Sequence, residues 1–168
     1  MSEIFFRDRV REGDRQAVRE IVTSTAFFSE AEVDVAEELV AEHLAKGEES
    51  GYLFIFAESP QGQVLGYACY GPTPCTASTF DLYWVAVRES MRGRGLGKML
   101  LCEVEERLEG MGGGKLIAET SSREQYAPTH RFYLSCGFEQ EARIGDYYAP
   151  GEDILYFTKK TGRDQARD

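Results

Sequence analysis

Arg92-Gly93-Arg94-Gly95-Leu96-Gly97 is the stretch around which the rest of the chain is organised. It follows a hydrophobic, strand-like run from Leu82 to Val87 and leads directly into an amphipathic helical pattern. Glycines alternating at a helix entrance let the backbone turn sharply and leave its N–H groups unobstructed by side chains. Those N–H groups, the helix dipole and the flanking Arg92, Arg94 and Lys98 favour a bound anion, and the geometry suits a pyrophosphate. A helix terminus alone contributes roughly 0.3–1 kcal/mol when exposed, so several donors and cations must share the grip.

Two familiar phosphate loops fit poorly. A Walker-type loop requires GxxxxGK[ST]; here Gly97-Lys98 has Arg92 five positions before Gly97 and Met99 after Lys98. The first glycine and the magnesium-binding hydroxyl are both missing. A dinucleotide fingerprint requires GxGxxG, and here the third glycine, Gly97, comes one place early. Glu119 stands at about the right distance for a ribose acid, which keeps a nucleotide-binding oxidoreductase open as a reading. A glycine-rich turn without a ligand is open as well.

A third comparison fits better. Arg92-x-x-Gly95-x-Gly97 after a strand resembles the Q/R-x-x-G-x-G/A signature of the GNAT superfamily, the acetyl-CoA-dependent N-acyltransferases. Downstream, Arg131-Phe132-Tyr133-Leu134-Ser135-Cys136-Gly137-Phe138 is similar to that family's Y-x-x-x-G-F segment. Order, spacing and the intervening strand agree. The two motifs account for about half the chain, and the remainder matches by element order.

The resemblance implies an α/β fold of the α+β type. It would be a single GNAT-like domain with a mixed, largely antiparallel sheet, splayed central strands and flanking helices. The splay falls between Leu82–Val87 and Leu116–Ala118, and acetyl-CoA (coenzyme A) is the implied cofactor. Splayed strands leave backbone donors and acceptors unpaired, and an amide chain can pair with them like an added strand. The implied cofactor contacts are Val85, Ala86 and Val87 on the strand, then Arg92, Gly93, Arg94, Gly95, Leu96, Gly97 and Lys98.

The implied reaction moves an acetyl group to a primary amine by direct attack. A backbone N–H at Val85 or its neighbour would meet the developing oxyanion, a donor typically worth about 3–4 kcal/mol. Tyr133 is the implied general acid. Asp81 and Glu119 compete as the base: Asp81 shares an alternating strand face with Tyr83, Val85 and Val87, and Glu119 ends the facing strand. An ordinary aspartate of pKa near 3.9 is a weak base, so burial or a relaying water has to help. Tyr126 stands seven residues before Tyr133, where many members carry asparagine. The hydroxyls of Thr120, Ser121 and Ser122 are alternative contacts for the cofactor or the substrate. Tyr147 and Tyr148 either wall the acceptor pocket or pack beside a turn at Pro150-Gly151. A non-catalytic acyl-CoA-binding or sensing module is the rival reading, with the cradle kept and the acid and base idle.

Composition bounds these readings. The 168 residues are 42% hydrophobic and 12% aromatic, enough to bury one ordinary globular core. One domain is expected over residues 1–160, with a polar tail at 161–168. No apolar stretch approaches the roughly 20 residues of a membrane span, so no membrane partner is expected. Met1-Ser2-Glu3-Ile4 shows no secretory pattern. Cys69, Cys75, Cys102 and Cys136 lack CxxC spacing, and only His43 and His130 accompany them. No metal site is expected, and free thiols fit a reducing cytoplasm. A net charge of −10 argues against nucleic acid. It serves solubility and can also attract a cationic amine. The acceptor stays open between a small amine or amino acid, an antibiotic-like compound and a protein N-terminus. Monomer and homodimer are both open.

Along the chain, Ile4–Arg9 reads as a first strand and Asp14 as the cap of a helix over Gln16–Thr25. Ser29 with Glu32 reads as a capping box opening a second helix, whose apolar face is Val33, Ala36, Leu39, Val40 and Leu44 before Gly47 ends it. Tyr52–Ala57 and Val64–Tyr70 are expected strands around the turn Ser59-Pro60-Gln61-Gly62, and Thr79–Val87 is a longer one. The helix entered at Gly95 shows Leu96, Leu100, Val104, Leu108 and Met111 at helical spacing and stops at Gly112. Lys115–Thr120 reads as a strand, Pro128–Ser135 as a short helix capped by Gly137, and Phe138–Ile144 with Ile154–Lys159 as a closing antiparallel pair.

Overall fold

The structure, a computed structural model, describes residues 3–162. Its strands are β1 (Phe5–Arg7), β2 (Leu53–Glu58), β3 (Val64–Pro72), β4 (Thr79–Val87), β5 (Gly114–Ser121), β6 (Glu139–Ala149) and β7 (Glu152–Thr161). Its helices are α1 (Asp14–Ser24), α2 (Glu30–Lys46), α3 (Leu96–Gly110) and α4 (Ala127–Ser135). The seven strands form a mixed sheet in the order β1-β2-β3-β4-β5-β7-β6. β4 and β5 are parallel, whereas β1–β2, β2–β3, β5–β7 and β6–β7 are antiparallel. Two compact units divide the chain. One runs to Gly71 and includes Trp84–Val104; the other includes Pro72–Tyr83 and continues from Glu105. β4 passes from the second unit into the first between Tyr83 and Trp84.

The first unit closes its core on α1 and α2. Val18, Ile21 and Val22 recur at helical spacing on α1, as do Val33, Ala36 and Val40 on α2; all are buried with Phe54, Phe56, Tyr67 and Cys69 of β2 and β3. The expected capping box is present. Glu32 N–H donates to Ser29 Oγ (3.3 Å), and Ser29 N–H donates to the Glu32 carboxylate (2.7 Å). Such a cap stabilises a helix by about 1 kcal/mol. At its other end α2 stops at Gly47, as its sequence pattern indicates.

Asp14 corrects the reading at the first helix. The helix begins at Asp14 itself, with Gly13 as the capping residue and no side-chain cap bond. The Asp14 carboxylate is buried and accepts from the Arg7 guanidinium (2.9 Å) and from Arg11 N–H (2.7 Å). Arg7 also donates to Glu58 (2.6 Å) and lies 4.4 Å over the Phe56 ring. A buried carboxylate is tolerated because a fixed guanidinium meets it. The first strand is correspondingly shorter than expected, Phe5–Arg7 instead of Ile4–Arg9.

The second unit is a strand array with two distinct faces. β5 and β7 pair without interruption from Gly114↔Thr161 to Ser121↔Ile154. Side chains alternate across a strand, so Leu116, Ala118 and Thr120 of β5 share a buried face with Leu155 and Phe157 of β7. α4 covers that face: the Tyr133 ring lies 5.7 Å from Phe157 and the His130 ring 5.5 Å from it. The opposite face carries Asp81 and Tyr83 of β4, Ile117 and Glu119 of β5, and Tyr156 of β7.

Several boundaries differ from expectation. Met111 lies beyond the end of α3 and is exposed, so it does not extend that helix's buried stripe of Leu96, Leu100, Val104 and Leu108. α4 is capped by Cys136, and Gly137 follows it. Tyr147 and Tyr148 belong to β6, leaving Pro150-Gly151 at the hairpin tip. Thr161 is buried in β7, so it is no tail residue, and residues 163–168 of the expected tail lie outside the described residues.

Candidate functional site

In the first unit, the glycine loop has the backbone its sequence demands. Gly93 (φ +73) and Gly95 (φ +80) are both left-handed, and nothing lies within 4 Å of where a Cβ would stand at either. The requirement for glycine is therefore conformational, and the space over the loop is open. The first intrahelical bond of α3 runs from Met99 N–H to Gly95 C=O (3.1 Å). The amides of Leu96, Gly97 and Lys98 precede that ladder and are the donors a helix start leaves for a ligand. Leu96 is buried and anchors the turn, whereas Arg92, Arg94 and Lys98 are exposed around it. Arg88, the neighbouring cation, is engaged elsewhere. It donates to Val64 C=O (2.7 Å) and pairs with Glu20 (3.0 Å). On β4, Ala86 is buried, and Val85 and Val87 are half-buried.

In the second unit, the parallel ladder of β4 and β5 covers only Thr79↔Lys115, Phe80↔Leu116 and Asp81↔Ile117. A cavity of about 250 Å³ opens where that ladder ends, lined by Asp81, Leu82, Tyr83, Ile117, Glu119 and Tyr148. Both candidate bases therefore meet at one place, with Tyr148 beside them. Asp81 Oδ2 accepts a hydrogen bond from the Thr73 hydroxyl (2.8 Å). Burial, reinforced by the Asp81 charge, pushes the Glu119 carboxyl above its ordinary value. Tyr147 packs edge-on against Tyr148 with centroids 4.9 Å apart. The Tyr148 phenol is raised by burial and then by Glu119, Tyr147, Tyr156 and Tyr126; the Tyr156 phenol is raised by burial, Glu119 and Tyr147. Tyrosines thus surround Glu119.

Tyr133 is not in that cavity. It sits on the opposite, α4-covered face, tilted against Phe132, Phe138 and Phe157 at 5.3–5.7 Å. Burial pushes its phenol up to about 12. The helix end behind it is fixed: Phe138 N–H donates to Tyr133 C=O (3.0 Å), and Lys159 Nζ donates to Cys136 C=O (2.8 Å) and to Glu105 (2.7 Å). On this face too, Thr120 Oγ1 is buried and has no hydrogen-bond partner among the described residues. Ser122 Oγ accepts from Asp153 N–H (2.9 Å), and Ser121 Oγ accepts from Arg123 N–H (3.2 Å). Of the three hydroxyls, Thr120 is the one left over.

Thr73, Tyr83 and Tyr156 enter the cavity's surroundings without having been singled out by sequence. Tyr83 carried a signal, its alternation with Asp81. Tyr156 carried none, because its place opposite Glu119 depends on the β5–β7 register. Thr73 reaches Asp81 through a loop whose path no periodicity reveals.

The sequence profile of the acetyltransferase (GNAT) family matches residues 15–138. The chain belongs to that family, and it is an N-acetyltransferase that takes its acetyl group from acetyl-CoA. It is 31% identical over 139 residues to an L-methionine sulfoximine/L-methionine sulfone acetyltransferase of Pseudomonas paraeruginosa, covering 79% of this chain and 78% of that one. A GNAT-family crystal structure from Desulfovibrio desulfuricans superposes with a TM-score of 0.91 at 46% identity, over 94% of this chain and 99% of the other. The fold also matches that of yncA from Salmonella typhimurium, determined with acetyl-CoA, with a TM-score of 0.72 at 21% identity and 99% coverage of each chain.

The residues present fit coenzyme A. The open left-handed loop and its leading amides suit a diphosphate. No helix is long and apolar enough to cross a membrane, and no group of three or more metal-ligating side chains occurs, among the described residues.

Proposed function

We propose that this acetyltransferase modifies the primary amine of an acceptor about the size of a single amino acid, bound in the cavity between Asp81 and Glu119. That cavity is the observation that carries the reading. At about 250 Å³ it is smaller than the roughly 300–1,000 Å³ typical of drug-sized ligands, which favours a small amine over a bulky antibiotic. The amino-acid derivatives named for the Pseudomonas relative are of this size class. The four free cysteines support a reducing, cytoplasmic setting.

When bound, acetyl-CoA supplies an acyl group already activated as a thioester. Gly93–Lys98 would hold its diphosphate with Arg92, Arg94 and Lys98, and in the same unit Val85 and Val87 would offer backbone partners. Glu119 takes the amine's proton. Its raised pKa brings it nearer the working pH, where a base is most effective. Asp81 is held in orientation by the Thr73 hydroxyl. Neutralising an α-amine at pH 7 costs about 1 kcal/mol and a lysine-like alkyl amine roughly 4–5, so the demand on the base depends on the acceptor.

Tyr133 holds its proton at Oη throughout the working pH range. Full transfer from a phenol near 12 to a thiolate of ordinary pKa 8.5 runs uphill by roughly 5 kcal/mol. Its contribution is that of a hydrogen-bond donor fixed by its aromatic neighbours, and most of the rate comes from positioning and the backbone oxyanion donor. The test is an amine panel followed by thiol release with acetyl-CoA as donor, for the wild type and Glu119→Gln. Acetylation of small amines that collapses in the variant supports the reading; undiminished turnover in Glu119→Gln overturns it.

A further inference from the structure

The lining of the acceptor cavity carries more information than its size. Of its six residues, two are carboxylates, two are tyrosines, and the others are leucine and isoleucine; none bears a positive charge. Cations on the surrounding segments are committed elsewhere. Lys115 pairs with Glu141 (2.6 Å), Arg123 with Glu152 (3.1 Å) and Arg143 with Asp153. A free amino acid placed here would bring its own carboxylate against two like charges, with no counter-ion on the wall.

We propose that the acceptor is a short diamine, one nitrogen receiving the acetyl group while the second, as an ammonium, rests against Asp81 among the tyrosine rings. This rests on the assignment of the cavity as the acceptor site. The two carboxylates divide the work. Asp81 is anchored at Oδ2 by the Thr73 hydroxyl (2.8 Å), which leaves its other oxygen for a ligand cation. Glu119 receives no side-chain donor among the described residues, so it is free to take a proton. Tyr148, with Tyr147 edge-on at 4.9 Å, offers ring faces that attract ammonium groups. Burial first, and then the neighbouring Asp81, raises the Glu119 carboxyl, and a cation entering between the two carboxylates relieves their repulsion. The volume limits the span to a few carbons. One N–C bond forms as one C–S bond breaks; one proton leaves the nitrogen for Glu119, and the departing thiolate takes one from solvent water.

Three probes of similar size, 1,4-diaminobutane, butylamine and 4-aminobutyrate, together with the larger L-methionine sulfone, separate charge from fit, each with acetyl-CoA and thiol release as the readout. The expected kcat/KM for 1,4-diaminobutane exceeds that for butylamine about tenfold, and that for 4-aminobutyrate about a hundredfold. Asp81→Asn should shrink the first ratio to about threefold or less, since it removes the ammonium's counter-charge. The wild-type ratios test the proposal even if that variant folds poorly. If either carboxylate-bearing probe matches or beats the diamine, the diamine inference falls and the acceptor site stands. If none of the four is acetylated while coenzyme A still binds, both fall.

Discussion

Gly95→Ala is the sharpest probe of the phosphate cradle. Gly95 sits at φ +80, and alanine in the left-handed region costs roughly 1–2 kcal/mol. Nothing lies within 4 Å of the added Cβ, so no clash contributes. Residues 92–95 are exposed, so in the free protein the loop can relax to a conformation alanine prefers. The cost then falls on binding, because the ligand must restore the left-handed turn. At 1.4 kcal/mol per tenfold, coenzyme A affinity should drop about 5–30-fold while the melting temperature stays near that of the wild type. Gly62→Ala is the matched control. Gly62 has the same φ of +80 and open surroundings, yet its turn is tied by Gly62 N–H to Ser59 C=O and Ser59 N–H to Gln63 C=O, both 2.9 Å. There the strain falls on stability and should leave coenzyme A affinity unchanged. Calorimetric titration with coenzyme A and thermal melts of both variants decide the matter. Gly95→Ala affinity equal to wild type, with a lowered melting temperature like that of Gly62→Ala, would refute the cradle.

Other consequences concern the second unit. The base works when deprotonated, so activity rises as pH passes the raised Glu119 pKa; Asp81→Asn removes one cause of that raise and should move the acid limb of the kcat/KM profile to lower pH. Tyr133→Phe should fold normally and lower kcat by about a hundredfold, the low end for a positioned donor. Because that phenol titrates near 12, the wild-type profile should show no alkaline limb from Tyr133 below about pH 10. Lys159→Met leaves Glu105 and the Cys136 carbonyl without their partner at a largely buried site, and urea unfolding should register a loss of about 2 kcal/mol.

The architecture was legible wherever a local pattern dictated the outcome. The capping box at Ser29 and Glu32, the apolar stripes of α2 and α3, and the boundaries of β4 all follow from residue spacing. Failures came where a distant partner decided. Asp14 has the chemistry of a cap, but Arg7 claims its carboxylate, and nothing local announces that pairing. Tyr147 and Tyr148 read as loop because Asp146, Pro150 and Gly151 are turn formers. Instead the strand continues through them, with Asp146 N–H bonded to Asp153 (2.9 Å) and Gly151 N–H to Asp146 (2.7 Å). Asp81 and Glu119 stood out in the sequence as rival bases at facing strand ends, and one cavity is lined by both. The tyrosines around them depend on cross-strand register, which a one-dimensional pattern does not encode.

Tyr133 lies beneath the strands of the second unit, and the carboxylate pair lies above them. If the acceptor amine sits against the carboxylate pair as proposed, it enters from that face, and Tyr133 on the other face stays out of its path. Initial-rate plots against both substrates should then give intersecting lines, the mark of a ternary complex, and an acetylated product should depart without dislodging the spent coenzyme.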